Sequence, residues 1–468
     1  MTDRRIMTTR GAECVLNGAV IDKFASNLRG SLIAPDDQDY EAVRKVWNGM
    51  VDKRPALIAR CAGAADVLAC VRFAREHDLL ISVRGGGHSA GGRAVCEKGL
   101  MIDLSLMKGI RIDFTGRTAR AEPGLRLGEF DRKTQAFGLT TTLGVASDTG
   151  IAGLTLGGGY GWLNGRYGLA CDNLLEVEVV TAEGQLVKAS AEENSELFWG
   201  IRGAGANFGI VTSFQYQLHP VGPVVGGFVL YPFIQGKETL RFFHEFSATC
   251  PDEVSTVGLL LSTPEGIPAV GIAACHTGST DEGERILKPL RRFGFPLADL
   301  IARRRYTEMQ SLFDQNWMPG QLNYWKTSLM RTPSDAAIEV LLEFAQKRPT
   351  PNSVIYFQQA HGAASRVEPS ATAFAHRFDH YDAGPWAIWQ DRADTDRCIR
   401  WARECWEALR PFYEPNAYVN AVDDAISDND DERVRSAYGA NFERLILLKN
   451  RYDPANLFRL NANIRPTV

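Results

Sequence analysis

Residues 81–103 read ISVRGGGHSAGGRAVCEKGLMID, and this stretch decides the fold. The apolar residues 79–83 predict a short strand that leads toward three successive glycines, and residues 100–104 predict a second strand beyond them. Glycine has no Cβ, so the backbone N–H groups of residues 85–87 can turn inward and approach an anionic group closely. The stretch therefore predicts a loop that can hold a pyrophosphate, followed by a single histidine, His88.

A second glycine-rich stretch, residues 143–173, reads LGVASDTGIAGLTLGGGYGWLNGRYGLACDN. It offers another backbone surface for the phosphates or the ring edge of a cofactor. A dinucleotide-binding fingerprint is the competing explanation, but that fold needs a strand, a turn and a helix within a series of parallel βαβ units. Residues 174–181 and 186–189 instead predict an antiparallel hairpin that turns at residues 182–184.

Three further segments extend the pattern toward the end of the chain. Residues 197–211 read LFWGIRGAGANFGIV, and they precede a predicted strand in which apolar and polar residues alternate. Residues 415–420 read PNAYVN, and residues 453–466 read DPANLFRLNANIRP. Each segment by itself would fit an ordinary turn, so the information lies in their order along the chain.

In this order the segments resemble those of the berberine-bridge-enzyme-like FAD oxidases, within the vanillyl-alcohol-oxidase superfamily. The first loop carries the likeness with Arg84, the glycines at 85–87, His88 and Gly91. The resemblance implies a PCMH-type FAD-binding domain and a covalent bond between His88 and the 8α-methyl group of the flavin. The likeness covers almost the whole chain and is weakest between residues 221 and 410.

Many members of this family carry a cysteine in the second stretch that makes another covalent bond to the flavin. Alignment with the family pattern places Ala146 at that position, so we expect the flavin to be held by one bond only. Cys171 lies further along, and we interpret it as a small buried apolar residue.

The resemblance also implies which residues contact the FAD. They are Arg84, Gly85, Gly86, Gly87, His88, Ser89 and Gly91, then Gly144, Ser147, Thr149, Gly150, Gly153, Leu154, Gly157, Gly158, Gly159, Tyr160 and Gly161, then Asn207, Gly209, Ile210 and Val211, and finally Tyr418, Asn420, Asn461 and Asn463.

The expected fold class is α+β, with a two-part FAD-binding domain over residues 1–220. From residue 221 onward glycine clusters become rare, and residues 221–415 predict a substrate-binding domain in which helices cover one face of an antiparallel sheet. Its predicted strands are 226–231, 256–262, 269–276 and 353–359, and its predicted helices are 237–249, 281–291 and 334–347. Residues 416–468 are expected to return to the FAD domain, and the acidic run 428–432 is expected to be a solvated loop.

Composition limits the partners. The formal net charge of -4, with both signs interspersed, argues against nucleic-acid binding and favours a small-molecule partner. The sequence lacks a membrane-length apolar run and the apolar core of a secretory signal, and its nine scattered cysteines are typical of reduced thiols. We therefore expect a cytoplasmic protein without membrane contact, and a homodimer is the default expectation for its assembly. The spacing of its histidines and cysteines predicts no metal site.

Tyr418 is the first candidate for the catalytic base, because the family motif puts this phenol beside the flavin ring. A phenol near its reference pKa of about 10 is a poor base at neutral pH, so a neighbouring positive charge or the flavin would have to lower that pKa. The alternative is a tyrosine that packs on the cofactor and donates one hydrogen bond.

Further polar candidates lie in the predicted substrate domain. Tyr324 and Lys326 belong to a Tyr-Trp-Lys segment that resembles the family's pocket strand, where the lysine could bind an acidic group or depress a tyrosine pKa. His361 is a further titratable candidate. Each of the three could equally be a packing or surface residue. The same choice between pocket and core applies to three tryptophans, Trp317, Trp386 and Trp389.

Three functions stay open at this point. The first is an oxidase that takes a hydride from an alcohol, hemiacetal or amine and passes the electrons to molecular oxygen, giving hydrogen peroxide. The second is a dehydrogenase with another electron acceptor, and the third is a flavin-binding protein without turnover. Gly144 and Thr149 match the family's oxygen-access positions, and the small side chain of Thr149 favours the oxidase.

Overall fold

The first glycine loop follows directly after a strand of a small, mostly parallel sheet. The computed structural model describes residues 1–422 and 431–468. Strands Leu57–Arg60 and Ile81–Arg84 both pair parallel to Leu100–Asp103, and Ser31–Ile33 pairs antiparallel to the outer side of the first of these. Helix Ala64–Glu76 connects two of the strands and buries one apolar face, as its sequence predicts. The loop that starts at Gly85 thus begins at the carboxyl end of a buried strand.

The second part of the predicted cofactor domain is a five-stranded antiparallel sheet. Its order is Leu186–Ser190, Leu174–Val180, Ile210–Gln217, Thr118–Ala121 and Ile110–Asp113. The first two strands form the hairpin that the sequence predicts, with Glu176 opposite Ser190 and Val180 opposite Leu186. Because every pair in this sheet is antiparallel, the structure excludes the dinucleotide-binding βαβ explanation for the second glycine stretch.

A nine-stranded antiparallel sheet forms the second half of the fold, as predicted, and we call it the substrate sheet. Its strands are Val224–Pro232, Val254–Ser262, Pro268–His276, Ala298–Asp299, Ala302–Arg304, Leu322–Trp325, Ser328–Met330, Val354–Ala360 and His380–Trp389. The sequence predicts four of them to within about two residues at each end and does not predict the long strand His380–Trp389.

Helices cover one face of the substrate sheet, and the other face is turned toward the cofactor domain. The covering helices are Gly236–Thr249, Thr280–Arg292, Asp335–Gln346 and Thr395–Leu409, and all four contribute to one apolar core. On the opposite face, Tyr356 and Trp386 join a second core together with Trp47 and Trp162 from the first 220 residues. The alternation of side chains along each strand therefore separates a structural face from a face that can shape a site.

The end of the chain returns to the cofactor domain. Helices Asp431–Tyr438 and Phe442–Tyr452 pack into its core through residues such as Leu445. Lys449 is fully buried, and its ammonium group donates hydrogen bonds to the carboxylate of Asp453 and to the carbonyl of Asn207. This ion pair fastens the last segment beside the third glycine loop.

The remaining elements complete both halves. They are strands Arg4–Met7, Glu13–Leu16, Leu139–Thr140 and His219–Pro220, and helices Gly18–Ser26, Tyr40–Val43, Leu127–Gln135, Ile151–Leu156, Asn164–Tyr167, Ser195–Ala204, Tyr306–Gln310 and Ala363–Arg366.

The predicted domain limits stay a prediction, although His219–Pro220 still pairs with the first half and Val224–Pro232 opens the substrate sheet. Of the acidic run 428–432, the first three residues lie outside the described chain, and the last two begin helix Asp431–Tyr438 instead of continuing a loop.

None of the helices in the described ranges combines the length and the apolar composition that a bilayer crossing requires. The same ranges contain no group of three or more histidine, cysteine or acidic side chains placed to hold a metal ion.

Candidate active site

A cavity of about 330 Å³ lies where the glycine loops meet the substrate sheet. A smaller cavity of about 130 Å³ adjoins it and shares Gly85, Gly153 and Asn461 in its lining. The larger cavity is lined by all three predicted cofactor loops, by the segment around Tyr418 and by side chains of the substrate sheet. Segments that are far apart in the sequence therefore line the same cavity in the folded chain.

The first two glycine loops touch each other directly. A Cβ atom on Gly86 would lie 2.4 Å from the Cα of Gly150, and one on Gly150 would lie 2.5 Å from the nitrogen of Gly86. Any larger residue at either position would force the loops apart, since real Cβ atoms do not approach so closely. These two glycines are thus required by the contact between the loops.

Gly153 has a different reason to be a glycine. It lies within helix Ile151–Leu156 and lines both cavities, and a Cβ placed on it would meet no atom within 4 Å. The bare backbone therefore faces open space, which is what a bound cofactor needs for close approach. This cradle fits the FAD that the sequence predicts.

The glycines at 157–161 are required mainly by close contacts within the protein and by their backbone angles. A Cβ on Gly157 would lie 2.0 Å from the side-chain oxygen of Asn420, and one on Gly161 would lie 1.5 Å from the carbonyl oxygen of Leu143. Gly158 and Gly159 have φ angles of +117° and +92°, which L-residues rarely adopt. Of this run, the cavity lining includes only Gly157 and Tyr160.

His88 lines the cavity at the meeting point of the two loops. Its ring stacks on Trp47 with centroids 4.3 Å apart, and its Nε2 lies 3.2 Å from the Oδ1 of Asp148. Arg84, which the sequence also assigns to the cofactor, instead forms a buried two-pronged ion pair with Asp103 at 2.9 and 2.7 Å. Arg84 therefore stabilises the loop through this ion pair and does not line the cavity.

Asn207 and Asn461 hold the C-terminal segment against the cavity. The side-chain oxygen of Asn207 accepts the N–H of Ile464, and its amide nitrogen contacts the hydroxyl of Tyr438 and the carbonyl of Ala462. Asn461 donates to two carbonyls, while its buried Oδ1 has no hydrogen-bond partner within the described residues. That oxygen is available to a ligand in either cavity.

Tyr418 lines the cavity, and its hydroxyl oxygen serves as a hydrogen-bond acceptor. The hydroxyl accepts the N–H of Gly159 at 3.0 Å and the amide of Asn420 at 2.8 Å. Burial raises the pKa of Tyr418, and the two accepted hydrogen bonds offset only part of that rise, to which the charge of nearby Asp382 makes a smaller contribution. The surroundings thus shift this phenol in the direction opposite to the one that a base at neutral pH requires.

Asp382 is the carboxylate that sequence reasoning missed. It lines the same cavity from strand His380–Trp389, and burial raises its pKa to about 7, against smaller opposing effects of the neighbouring Thr327 hydroxyl and the Arg433 charge. Its Oδ1 forms no hydrogen bond within the part of the chain that the structure describes. A carboxylate with a pKa near the working pH and an available oxygen is suited to general-base catalysis.

The three other predicted catalytic residues lie outside the cavity lining. Tyr324 packs in the core beneath the helices and accepts a hydrogen bond from Arg403 at 3.0 Å, while the ammonium of Lys326 lies 4.5 Å from the ring centre of Trp406. The residue between them, Trp325, faces the cavity instead. Strand alternation explains this, because neighbours on a strand point to opposite faces.

His361 follows the end of strand Val354–Ala360 and lies outside the cavity lining. Its Nε2 donates to the carbonyl of Val254 at 2.7 Å, and burial lowers its pKa. This hydrogen-bonded imidazole is thus separated from the cavity, and its catalytic role stays a prediction.

Aromatic side chains of the substrate sheet form one wall of the cavity, which we call the aromatic wall: Trp325, Tyr356 and Trp386. Trp386 stacks on Trp325 at 4.2 Å and on Tyr356 at 4.1 Å between ring centroids. Trp317 reaches the same cavity from a loop, whereas Trp389 is buried in the core under the helices. Gln358 adds a polar group beside Asp382.

The structure brings most of the predicted cofactor residues to the two cavities. Those on the lining are Gly85, Gly86, Gly87, His88, Ser89, Gly144, Thr149, Gly150, Gly153, Leu154, Gly157, Tyr160, Asn207, Gly209, Ile210, Val211, Tyr418, Asn420 and Asn461. Those outside it are Arg84, Gly91, Ser147, Gly158, Gly159, Gly161 and Asn463. Ser147 illustrates the second group, since its hydroxyl and its N–H both donate to Asp314.

Comparisons with known proteins agree with this site. Residues 55–190 match a family model described as an FAD binding domain, and residues 417–465 match one described as berberine and berberine like. An FAD-linked oxidoreductase of Dictyostelium discoideum is 32% identical over 453 residues, which cover 96% of this chain and 97% of the relative. The (R)-6-hydroxynicotine oxidase of Paenarthrobacter nicotinovorans is 32% identical over 459 residues, covering 94% of this chain and 97% of that one.

Comparison with solved structures agrees with these sequence matches. The 6-hydroxy-D-nicotine oxidase from Arthrobacter nicotinovorans superposes with a TM-score of 0.85 at 31% identity, covering 93% of this chain and 98% of that one. The BBE-like 1 protein of Physcomitrella patens has the same TM-score at 23% identity, which supports the fold alone. The chain therefore belongs to the berberine-bridge-enzyme-like family of FAD-linked oxidoreductases.

Proposed function

We propose that this protein is an oxidase that carries FAD on His88, takes a hydride from a small organic substrate and passes the electrons to molecular oxygen. The observation that carries the proposal is the convergence of a bare glycine cradle, His88 and the carboxylate of Asp382 on one cavity. When bound, FAD supplies the hydride acceptor, and the protein supplies position, charge and proton transfer.

Asp382 is our proposed base. A substrate O–H or N–H beside the carbon that loses hydride would donate its proton to the available Oδ1 of Asp382. The raised pKa of about 7 makes this carboxylate a stronger base than an exposed aspartate while leaving it substantially ionised at neutral pH. Tyr418 would hold its position through Gly159 and Asn420 and contact the substrate or the cofactor with its ring.

The aromatic wall supports a flat or apolar substrate. Trp325, Trp386 and Tyr356 present stacked ring faces, on which an aromatic or heteroaromatic body can pack, and a cationic amine would gain attraction from the same faces. The nicotine oxidases among its relatives carry such a substrate in their names. Among alcohols, hemiacetals and amines, we therefore favour an aromatic alcohol or amine.

The choice of oxygen as the electron acceptor rests on the second loop. Gly144 and Thr149, the two oxygen-access positions expected from the family, both line the cavity and bring no bulky side chain to it. Reducing the holoenzyme without oxygen and then mixing it with aerated buffer tests this choice. An oxidase recovers its yellow colour within seconds with one peroxide per flavin, whereas a recovery over many minutes would assign the dehydrogenase function.

The covalent bond is tested by acid precipitation. The wild-type pellet is expected to stay yellow, and His88→Ala should release all flavin into the supernatant because the attacking imidazole is gone. His244→Gln is the matched control, since His244 lies on helix Gly236–Thr249 and contacts Tyr381, away from the cavity lining. A colourless wild-type pellet would remove the tether from the proposal.

A further inference from the structure

We infer that Asp148 prepares His88 for its covalent attachment to the flavin, by holding the proton of the imidazole on Nε2 and stabilising positive charge on the ring. The inference rests on the proposed tether and assigns a new positioning residue to it. The two side chains come from different loops, and their closest atoms, His88 Nε2 and Asp148 Oδ1, are 3.2 Å apart.

The surroundings of His88 and Asp148 limit both the solvent access and the orientation of the two side chains. The two side chains are 15% and 21% exposed, so solvent screens their interaction less than on an open surface. Trp47 stacks on the imidazole with an interplanar angle of 24°, which limits the orientation of the ring. The His88 ring thus has an aromatic support on its face and a carboxylate at one nitrogen.

The loop that carries Asp148 is fixed on both sides. The N–H and the hydroxyl of Ser147 donate to Asp314 at 2.9 and 2.5 Å. The carbonyl of Thr149 accepts the N–H of Leu127 at 2.9 Å. Asp148 therefore stands between two anchored neighbours, and the close contact of the glycine loops keeps it beside His88.

The chemistry requires such a partner. A neutral imidazole carries its proton on one nitrogen, and only the other nitrogen has a lone pair for attack. A carboxylate beside Nε2 favours the tautomer that is protonated there, leaves Nδ1 as the nucleophile, and stabilises the imidazolium that forms as the bond is made. In the described chain the two atoms lie at ion-pair distance, and the contact is not an aligned hydrogen bond.

The net reaction balances with oxygen as the oxidant. The 8α-methyl group of the flavin loses one hydrogen, the imidazole loses its N–H hydrogen, and a bond forms between Nδ1 and the 8α-carbon. Two electrons and two protons leave through the flavin to molecular oxygen and give one hydrogen peroxide. The Nε2 proton passes to the Asp148 carboxylate or to water as the imidazole returns to its neutral form.

The test follows covalent incorporation over time. Apoprotein is mixed with saturating FAD in aerated buffer, samples are denatured in acid at intervals, and flavin fluorescence is read in the protein band of a denaturing gel. Asp148→Asn, which keeps the size and removes the charge, is expected to slow incorporation at least about tenfold while FAD still binds. Asp148→Ser is the second variant if the first does not fold.

Asp314→Asn is the matched control, because Asp314 fixes the same loop without contacting His88. Its incorporation rate should stay within about threefold of the wild-type rate. Equal rates for Asp148→Asn and wild type overturn the inference, and so does an Asp314→Asn variant as slow as Asp148→Asn, since loop order would then be the cause. Flavin in the band of His88→Ala would instead overturn the tether itself.

A second readout tests the tautomer. Proteolysis of the holoenzyme gives a flavin-labelled peptide, and NMR of that peptide identifies the linked nitrogen. The inference predicts linkage through Nδ1. Linkage through Nε2 would overturn it, because Asp148 would then face the reacting nitrogen.

Discussion

The chemistry at the scale of single residues depends on which group takes the substrate proton. Tyr418 and Asp382 share the cavity, and burial raises the pKa of both, with opposite consequences. A phenol whose pKa rises further above neutrality loses value as a base, whereas a carboxylate raised to about 7 gains it. The two hydrogen bonds that the Tyr418 oxygen accepts from Gly159 and Asn420 favour the phenolate, but they offset only part of the effect of burial.

Replacing Asp382 by asparagine is therefore expected to slow flavin reduction at least about a hundredfold, within the usual range of general-base contributions. Only the ionised carboxylate accepts a proton, so the wild-type rate should fall about tenfold per pH unit below pH 7 and level off above it. The variant should lose this pH dependence. Anaerobic stopped-flow measurement of flavin bleaching between pH 5 and 9 checks both statements.

Tyr418→Phe is the companion variant and should slow reduction less than about tenfold, since the ring stays in place. The opposite pattern, a large loss in Tyr418→Phe and less than a threefold loss in Asp382→Asn, would return the role of base to the tyrosine.

At the scale of secondary-structure elements, one unpredicted strand explains why the sequence analysis did not identify Asp382. Strand His380–Trp389 reads HYDAGPWAIW, and its Gly384 and Pro385 are typical of a turn rather than of a central strand. The structure accommodates them where Gly384 adopts a φ of +158° beside Lys326. Because this strand was not predicted, its cavity-facing Asp382 was not considered either.

The opposite case is helix Thr395–Leu409. Its sequence places Cys398, Trp401, Cys405 and Leu409 at helical spacing, and all of them are buried. Periodicity alone would have identified this element. The Tyr-Trp-Lys segment likewise contained a usable signal, because strand alternation allows either Trp325 or its two neighbours to face the cavity, but not all three.

The short helix Ile151–Leu156 is the element whose bare face we expect to meet the cofactor. Gly153→Leu would extend a side chain into the cavity from a Cβ that meets no protein atom within 4 Å, and leucine favours a helix more than glycine does. We therefore expect FAD binding to weaken at least about tenfold while the apoprotein melts at an equal or higher temperature. In a His88→Ala background, where FAD binds reversibly, fluorescence titration with FAD and thermal melts of the apoprotein measure the two effects separately.

Gly222→Leu is the matched control, because a Cβ on this exposed glycine also meets no atom within 4 Å, yet the residue lies outside both cavities. Undiminished FAD affinity in Gly153→Leu would place the cofactor elsewhere.

At the scale of the whole molecule, the predictable part of the site is the part that is local in sequence. Glycine loops carry their information in consecutive residues, so the order of three such loops predicted the cofactor domain and its family. The substrate side is assembled from Trp47, Trp317 and Asp382, which are far apart in the sequence and meet only in the folded chain. Nothing in the neighbourhood of any one of them indicates the others.

The same assembly predicts how the cofactor acts on stability. FAD would contact the first loop, the second loop, the segment around Tyr418 and the segment around Asn461 at once, so its binding should couple all four. In His88→Ala, where binding is reversible, FAD at a hundred times its Kd should stabilise the fold by about 2.7 kcal/mol.

Hydrogen exchange should slow together in residues 81–94, 144–161, 416–422 and 457–464. Helix Thr280–Arg292, on the far side of the substrate sheet, should slow less than these four segments, because FAD does not contact it. Protection confined to one of the four segments would mean that the cavity does not hold the cofactor as a single unit.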